Sequence, residues 1–164
     1  MAHDRDEVEA TVQRYIAVRE RIDAGDATWS DLAPFFTDDA VFIDPAWGRM
    51  EGLDEIRRIA FGDSMVGLDW RFPVDFYAID GDTVVVKWRE VIPGADGRPY
   101  EQSGCSTLVY AGDGRFRYEE DLLNMTHVLE DLSASGWRPP DGIRWHVPPE
   151  HPNRDFSIPP APEA

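Results

Sequence analysis

Hydrophobic residues near the N-terminus recur at the three-to-four-residue spacing of one helix face. Asp4 or Asp6 can cap the start of this helix, and Gly25 followed by Asp26 ends it. The apolar positions of the helix are Val8, Val12, Tyr15, Ile16 and Ile22. We therefore predict one long N-terminal helix with a single buried face.

Shorter elements follow before any repeated pattern begins. The chain predicts a short helix over residues 29–36 and a strand over residues 41–44 that Pro45 stops. Gly52 then precedes a second amphipathic helix, whose inner positions are Leu53, Ile56, Ile59 and Ala60. These elements place at least two helices ahead of the main sheet.

From residue 68 onward, apolar and polar residues alternate with the period of two that is typical of β-strands. Turns at Gly81-Asp82 and Gly112-Asp113-Gly114 separate the alternating segments. The predicted strands cover residues 68–76, 83–92, 103–110 and 115–121, and a helix over residues 122–132 follows. Helices followed by hairpin-linked strands predict an α+β fold with an antiparallel sheet.

The C-terminal segment, residues 136–164, has a different composition from the rest of the chain. It contains eight of the thirteen prolines and shows no regular period. It also carries Trp137, Trp145 and Phe156, and free tails rarely hold so many large aromatic side chains. We predict one domain over residues 1–135 and an extended tail that lies against that domain or against a partner subunit.

Composition narrows the class of protein and its partners. The 164 residues are 42% hydrophobic and 12% aromatic, which suits one packed domain. A formal charge of −16 repels phosphate groups, so we expect no nucleic-acid partner and no membrane partner. The single cysteine, Cys105, predicts no internal disulfide, and no signal peptide or membrane span is expected. A cytoplasmic protein with a neutral or weakly polar small-molecule ligand fits these features.

Two acidic residues share strand faces with apolar neighbours. Asp44 lies on the face of Phe42, where burial would raise its pKa and make it a proton acceptor, although Asp44-Pro45 can also simply start a turn. Glu90 shares its face with Val84, Val86, Trp88 and Ile92. Burial of a carboxylate is costly without a partner, so Glu90 indicates a site unless its strand end is already in solvent.

Three consecutive acids end the last predicted strand. By alternation, Glu119 and Asp121 lie on the same face as Arg117, whereas Glu120 lies on the face of Phe116. An arginine–carboxylate pair on the first face could orient a catalytic acid. Alternatively, the three acids form a solvated strand edge that leads into a helix N-terminus, where acidic residues are favourable.

Tyr15 and His127 complete the candidates from the residues alone. The Tyr15 hydroxyl could donate into a pocket, or Tyr15 could be an ordinary core residue with its hydroxyl at the rim. His127, on the last helix, could reach the same pocket or solvent. The four histidines show no metal-ligand spacing, so we expect no metal site. No phosphate-binding glycine loop and no nucleophile elbow is present.

Several motifs resemble the ketosteroid isomerases and their relatives in the nuclear transport factor 2-like superfamily, which includes the SnoaL-like polyketide cyclases and limonene epoxide hydrolase. The resemblance covers roughly residues 7–132 and implies a cone-shaped α+β barrel, in which a strongly bent sheet wraps around N-terminal helices and a central pocket. The motifs that carry it are Val12-Gln13-Arg14-Tyr15, Ala24-Gly25-Asp26, Phe36-Thr37-Asp38-Asp39-Ala40-Val41, Asp44-Pro45 and Glu51-Gly52.

The resemblance also implies roles for single residues. Asp44 matches the general base of the isomerases, and Tyr15 resembles their oxyanion-hole tyrosine. The isomerases pair that tyrosine with an aspartic acid that its apolar surroundings keep protonated. The matching stretch, residues 105–107, carries no carboxyl group. That departure argues against a standard steroid isomerase.

Limonene epoxide hydrolase gives a second set of implied roles. Its Arg-x-Asp strand motif aligns with Trp88-Arg89-Glu90, so the acid is kept as Glu90 while Trp88 replaces the arginine. Its second aspartate aligns with Asp121, and the SnoaL-like cyclases keep an acid/base aspartate on the same strand. The resemblance therefore supports Asp121 as a catalytic acid or base.

Taken together, Asp44, Glu90 and Asp121 are expected to converge on one cavity with Tyr15, and one of the acids should hold a proton near neutral pH. We expect substrate contacts from Phe42, Trp47, Trp70, Trp88 and His127. These features favour a cofactor-independent acid/base enzyme for a hydrophobic small molecule, such as an isomerase, cyclase or dehydratase. Epoxide hydrolysis and ligand binding without turnover are the alternatives.

A homodimer is expected under each of these hypotheses. The strand positions predicted to face outward are more apolar than a solvated sheet face should be, and such a face is typical of an interface. The positions are Val85, Val91, Leu108, Tyr110, Phe116 and Tyr118.

Overall fold

The structure is a computed structural model that describes residues 2–161. Its long N-terminal helix, α1, spans Arg5–Asp23 and begins where the sequence predicts. The Asp4 carboxylate accepts a hydrogen bond from the Asp6 backbone N–H at 2.8 Å and thereby caps the helix. The buried face of α1 carries the predicted apolar residues and, unexpectedly, Arg19.

A run of short elements connects α1 to the main sheet. A 3₁₀ helix (Trp29–Phe35) leads into β1 (Phe36–Asp44), which begins five residues before the predicted strand. A tight turn then reverses the chain into β2 (Gly48–Glu51), which the sequence did not predict. The predicted second helix is α2 (Leu53–Arg58), and it continues into one turn of π helix (Ile59–Asp63).

Four further strands and one helix complete the fold: β3 (Val74–Asp80), β4 (Thr83–Pro93), β5 (Pro99–Gly112), β6 (Arg115–Leu123) and α3 (Met125–Ser135). The strand order is β2-β1-β6-β5-β4-β3. The α+β class is confirmed. The sheet is antiparallel except for β1 and β6, which pair in parallel.

β-Bulges change which side chains face the core. Between β5 and β6, Tyr110 pairs with Phe116 and Val109 pairs with Tyr118. Arg117 is therefore an extra residue of β6 that inverts the alternation of that strand. Phe116 and Glu119 therefore both face inward, although strict alternation placed them on opposite faces. A similar bulge in β3 leaves Phe76 58% exposed. Bulges also bend the strands and so help the sheet to wrap around α1.

The predicted outer face is wrong for most of its positions on β5 and β6. Leu108, Tyr110 and Phe116 belong to the main core, which lies between the inner face of the sheet and α1. A small second hydrophobic cluster is formed by Val41, Ile43, Val109 and Tyr118. Of the residues of β5 and β6 that were predicted to face outward, only Tyr118 belongs to it. The homodimer stays a prediction, with a smaller apolar face to support it than the sequence indicated.

The tail after α3 is extended and lies against its own domain. Trp137 is 5% exposed, and its ring contacts those of Trp70 and Trp145. Farther along, the Tyr118 hydroxyl donates to the Phe156 carbonyl at 3.2 Å, so the tail covers the second cluster. Residues 162–164 of the predicted tail lie outside the described residues. Within residues 2–161, no helix is both long and apolar enough to cross a bilayer.

Candidate active site

A cavity of about 260 Å³ lies between the inner face of the sheet and the helices. Aromatic and aliphatic side chains form most of its wall, as expected for a site that binds a hydrophobic molecule. All four aromatic residues predicted as substrate contacts line it: Phe42, Trp47, Trp70 and Trp88. Asp44, Glu90, Asp121 and Tyr15 also line it, so the predicted convergence of these four residues is observed.

His127 is the predicted contact that the structure places elsewhere. Its side chain is on the exposed face of α3 and does not line the cavity. The helix begins at Met125, three residues later than predicted, and Asn124 caps it. This phase turns Val128 and Leu132 toward the cavity instead, so the predicted position of His127 is wrong.

Glu119 is the most deeply buried acid of the site, with 2% of its surface exposed. The Tyr15 hydroxyl donates to its two carboxylate oxygens at 2.9 and 3.1 Å. Burial raises the pKa of Glu119, and the nearby charge of Asp121 raises it further. The pKa of the Tyr15 phenol is also raised, chiefly by burial and by the Glu119 charge, so Tyr15 remains a donor.

Asp121 is held by a second buried hydrogen-bond chain. Trp88 Nε1–H donates to Ser106 Oγ at 2.8 Å, and the Ser106 hydroxyl donates to Asp121 Oδ1 at 2.5 Å. Burial raises the pKa of Asp121, whereas the bonds from Ser106 and Glu119 lower it. Gly104 makes room for this arrangement, because a Cβ there would lie 2.3 Å from the Trp88 ring.

Glu119 and Asp121 lie close enough to change each other's pKa. Glu119 donates to Asp121 when it is protonated, which lowers the pKa of Asp121, while the Asp121 charge raises the pKa of Glu119. Two adjacent buried carboxyl groups cannot easily both ionise. The pair therefore retains a proton in a pH range where exposed carboxyl groups have lost theirs.

Arg19 is the single cation among the residues that line the cavity within the described chain. It is 4% exposed, and its guanidinium lies over the Trp88 ring at 5.3 Å from the centroid. Its charge lowers the pKa of both Glu119 and Asp121. Arg19 thus supplies, from α1, the positive charge beside the buried acids of the cavity.

Glu90 is buried without compensation. It is 5% exposed, and within residues 2–161 its Oε1 has no hydrogen-bond partner. Burial raises its pKa to about 8, with further contributions from the charges of Asp44 and Asp121. Glu90 therefore sits on an apolar face as the sequence indicated, and the alternative of a solvated strand end is wrong.

Asp44 combines both interpretations of its sequence position. Its Oδ1 accepts hydrogen bonds from the backbone N–H groups of Ala46 and Trp47 at 2.7 and 2.8 Å, which is the predicted turn. Its side chain also lines the cavity, where burial raises its pKa against the effect of those two bonds. Asp44 is thus the cavity acid with backbone donors.

Sequence reasoning missed the roles of Glu119, Arg19 and Ser106. Arg19 follows Tyr15 by four residues, so helical spacing places both on one face of α1, and that signal was available. Glu119 was correctly grouped with Asp121, but its expected partner Arg117 instead donates to the Pro159 carbonyl of the tail. The hydroxyl of Ser106 gave no signal without the register of β5 against β6.

The arrangement is suited to proton transfer. It holds four carboxyl groups with raised pKa values, one phenol and one guanidinium in a largely apolar cavity. Within residues 2–161, no group of three His, Cys, Asp or Glu side chains has the arrangement needed to hold a metal ion. The side chains that line the cavity include acids, bases and hydrogen-bond donors.

Comparison with known proteins identifies the family. The model of the SnoaL-like domain family matches residues 12–119, which is more than half of the chain. The chain therefore belongs to the SnoaL-like domain family, within the nuclear transport factor 2-like fold. Asp121 and the whole tail lie beyond the matched segment. No curated protein matches the chain.

Solved structures show the same fold at low sequence identity. A protein from a Jannaschia species, assigned as a SnoaL-like polyketide cyclase, is 20% identical over 84% of this chain and 99% of its own, with a TM-score of 0.62. SalBIII, an epoxide hydrolase/cyclase-like enzyme in pyran ring formation, is 18% identical over 76% and 95%, with a TM-score of 0.59. TerC, crystallised with polyporic acid, is 16% identical over 76% and 96%, also at 0.59.

Proposed function

We propose that this protein is an enzyme that moves protons on a hydrophobic small molecule, by isomerisation, ring closure or dehydration. The observation that carries the proposal is the group of buried carboxyl groups with raised pKa values in one apolar cavity. Such a group offers a proton donor and a proton acceptor at the same pH. Ring formation by SalBIII is chemistry of this kind on the same fold.

The hydrogen bonds suggest which acid has which role. Asp44 accepts two backbone N–H groups, which favour its ionised form, so it is the proton acceptor. The Glu119–Asp121 pair, on the strand that neighbours Asp44, retains a proton and is the donor. Tyr15 holds Glu119 in place through its hydrogen bonds. The two side chains together offer a phenol next to a carboxylic acid, although the carboxylic acid comes from Glu119 and not from residues 105–107.

Ligand binding without turnover is less well supported by these contacts. That alternative would be favoured if Arg117 or Arg89 neutralised the cavity acids. Arg117 bonds to the tail, and Arg89 pairs with Asp75 and Glu101 on the outside of the sheet. The cavity acids therefore keep their raised pKa values, which a passive binding site has no need to maintain.

Epoxide opening is a second candidate, and Arg19 favours it. The sequence indicated that the arginine beside the catalytic acids was lost, yet Arg19 places a guanidinium close enough to lower the pKa of Asp121. An acid that donates to the epoxide oxygen and a carboxylate that activates water would suffice. Incubation in ¹⁸O-labelled water distinguishes this reaction, because hydrolysis adds the label to the product and isomerisation adds none.

The proposal is tested by conversion of a panel of hydrophobic ketones, polyketide-like phenols and epoxides, followed by mass spectrometry. Asp44→Asn and Asp121→Asn should each lower turnover by roughly 10²–10⁴-fold, the usual contribution of a general acid or base. Glu120→Gln is the matched control, since Glu120 is the neighbour of Asp121 on β6 and bonds to Tyr118 on the outer face. Equal binding by all four proteins with no conversion would show a binding module instead.

A further inference from the structure

The tail forms part of the cavity wall. Trp145 and Pro148 line the cavity, although they belong to a segment without regular secondary structure and beyond the family match. Trp145 is half-buried and packs edge-on against Trp137 at 5.0 Å between ring centroids. The cavity proposed above as the active site is thus closed on one side by residues that the rest of the fold does not provide.

The tail is fixed at two anchors. The first anchor is Trp137, whose Nε1–H donates to Asp69 Oδ1 at 2.7 Å and whose ring packs on Trp70. The second anchor is residues 153–157, which pair with β2. There the Arg49 backbone N–H donates to the Asn153 carbonyl at 2.9 Å, and its guanidinium donates to the carbonyls of Asp155 and Ser157.

Between the anchors, residues 138–151 form a segment that we call the strap. Within the described residues, no hydrogen bond joins the strap to the rest of the domain; those of Arg138 and Ile143 remain inside the tail. Its polar contact with the domain is a His146–Asp63 pair at 3.9 Å. The strap is therefore held mainly by its ends and by apolar contacts such as that of Ile143 with Gly67.

We propose that the strap is the gate of the cavity and that Trp145 is its closing residue, which selects ligands by size. This inference rests on the proposed use of the cavity as a substrate site. A segment with firm ends and few bonds between them can lift without loss of either anchor, because local opening is least costly where few bonds are broken. When the strap is closed, the indole of Trp145 limits the length of the molecule that fits.

A buried reporter thiol tests the gate without any substrate. Val128 lines the cavity, is 6% exposed and is close to cysteine in size, so Val128→Cys in a Cys105→Ser background places one thiol inside. Two neutral reagents of different size, methyl methanethiosulfonate and 4,4′-dithiodipyridine, report access through the rate of labelling. Trp145→Ala removes the closing residue. Val147→Ala is the matched control on the same strap, since Val147 is 82% exposed.

We expect Trp145→Ala to accelerate labelling by 4,4′-dithiodipyridine at least tenfold and labelling by the smaller reagent clearly less, with Val147→Ala within twofold of the parent. Unchanged rates in Trp145→Ala, or the same rise in Val147→Ala, would overturn the gate. Equal acceleration for both reagents would overturn the selection by size. Labelling needs no turnover, so this result is independent of whether Asp44 and Asp121 prove catalytic.

Discussion

The Glu119–Asp121 pair and Glu90 are buried acids in the same cavity, but they differ in their hydrogen-bond donors. The pair receives bonds from Tyr15 and Ser106 and the charge of Arg19. Glu90 has one carboxylate oxygen without a partner, and the two charges that act on its pKa are both negative. The fold therefore fixes the position of the pair, whereas it leaves Glu90 to be satisfied by a proton or by a ligand.

This difference has an energetic consequence. A buried polar group costs least when its donors and acceptors are met within the protein, and an unmet one costs about 1–3 kcal/mol. The donors around the pair offset part of the cost of its burial, although burial still raises both of its pKa values. Glu90 has no donor for one of its oxygens and avoids most of its cost only while it is protonated, so it should make the folded state sensitive to pH in addition to the sensitivity that the pair contributes.

The largest expected effect is a loss of stability with rising pH that depends on Glu90. Its pKa is about 8 in the folded protein and about 4.5 when exposed, so the folded state binds the proton more tightly. Its contribution is therefore complete below about pH 4.5 and is lost as the pH rises through 8. Glu90→Gln should remove about 3 kcal/mol of the decrease in unfolding free energy between pH 5.5 and pH 8.5, measured by urea denaturation.

The groups that face Glu90 make this assignment testable. Asp44 and Asp121 raise its pKa, and Gln102 on β5 is its cross-strand neighbour. Asp44 and Asp121 still titrate in the Glu90→Gln variant, so they account for the dependence of the unfolding free energy on pH that remains. Glu130→Gln, an exposed position on α3, removes the same charge outside the cavity and should leave the slope unchanged. A Glu90→Gln slope equal to that of the wild type would mean that Glu90 finds a donor in solution.

The second effect concerns the donors of the pair. Ser106→Ala leaves both Trp88 Nε1–H and Asp121 Oδ1 without their partner, so the free energy of unfolding should fall by about 2–3 kcal/mol. The pKa of Asp121 should rise, because the lost bond favours its ionised form. Ser103→Ala, an exposed position on the same strand, is the control and should change stability by less than about 0.5 kcal/mol.

Much of this site could be predicted from the sequence, because alternation is reliable wherever a strand is regular. In β4, the spacing of Val84, Val86 and Trp88 placed Glu90 correctly on the inner face. In β6, the bulge at Arg117 reversed the expected position of Phe116 relative to Glu119. A bulge depends on how two strands pair, and the pattern of a single strand does not contain that information.

The partners of the acids were harder to predict than the acids themselves. The family resemblance indicated Asp44, Asp121 and Tyr15, all of which line the cavity. Arg19 reaches the cavity from α1, and its contact with Trp88 joins segments far apart in the chain. The tail lies against its own domain, which is one of the two arrangements that the sequence predicted. Its position at the cavity could not be predicted, because it depends on contacts between distant residues such as that of Trp137 with Asp69.

The smallest effect is expected from Tyr15→Phe, and it tests whether the pair tolerates the loss of one donor. Tyr15 gives one hydroxyl hydrogen to the carboxyl group of Glu119, which keeps its bond to Asp121, so the loss should be about 1–2 kcal/mol. The pKa of Glu119 should rise, since the Tyr15 bond lowers it. Stability should then remain pH-dependent to a higher pH than in the wild type, as measured by urea denaturation across pH 6–9.

Tyr77→Phe provides the matched control, because the Tyr77 hydroxyl also donates to a glutamate, Glu9, at 2.9 Å. That pair is half-exposed, so water can replace the lost bond and the cost should be about 0.5 kcal/mol, with no change in the pH dependence. Similar effects of the two substitutions would mean that the Glu119–Asp121 pair is reached by water. The contrast between an acid pair satisfied by the protein and an unsatisfied Glu90 would then no longer hold.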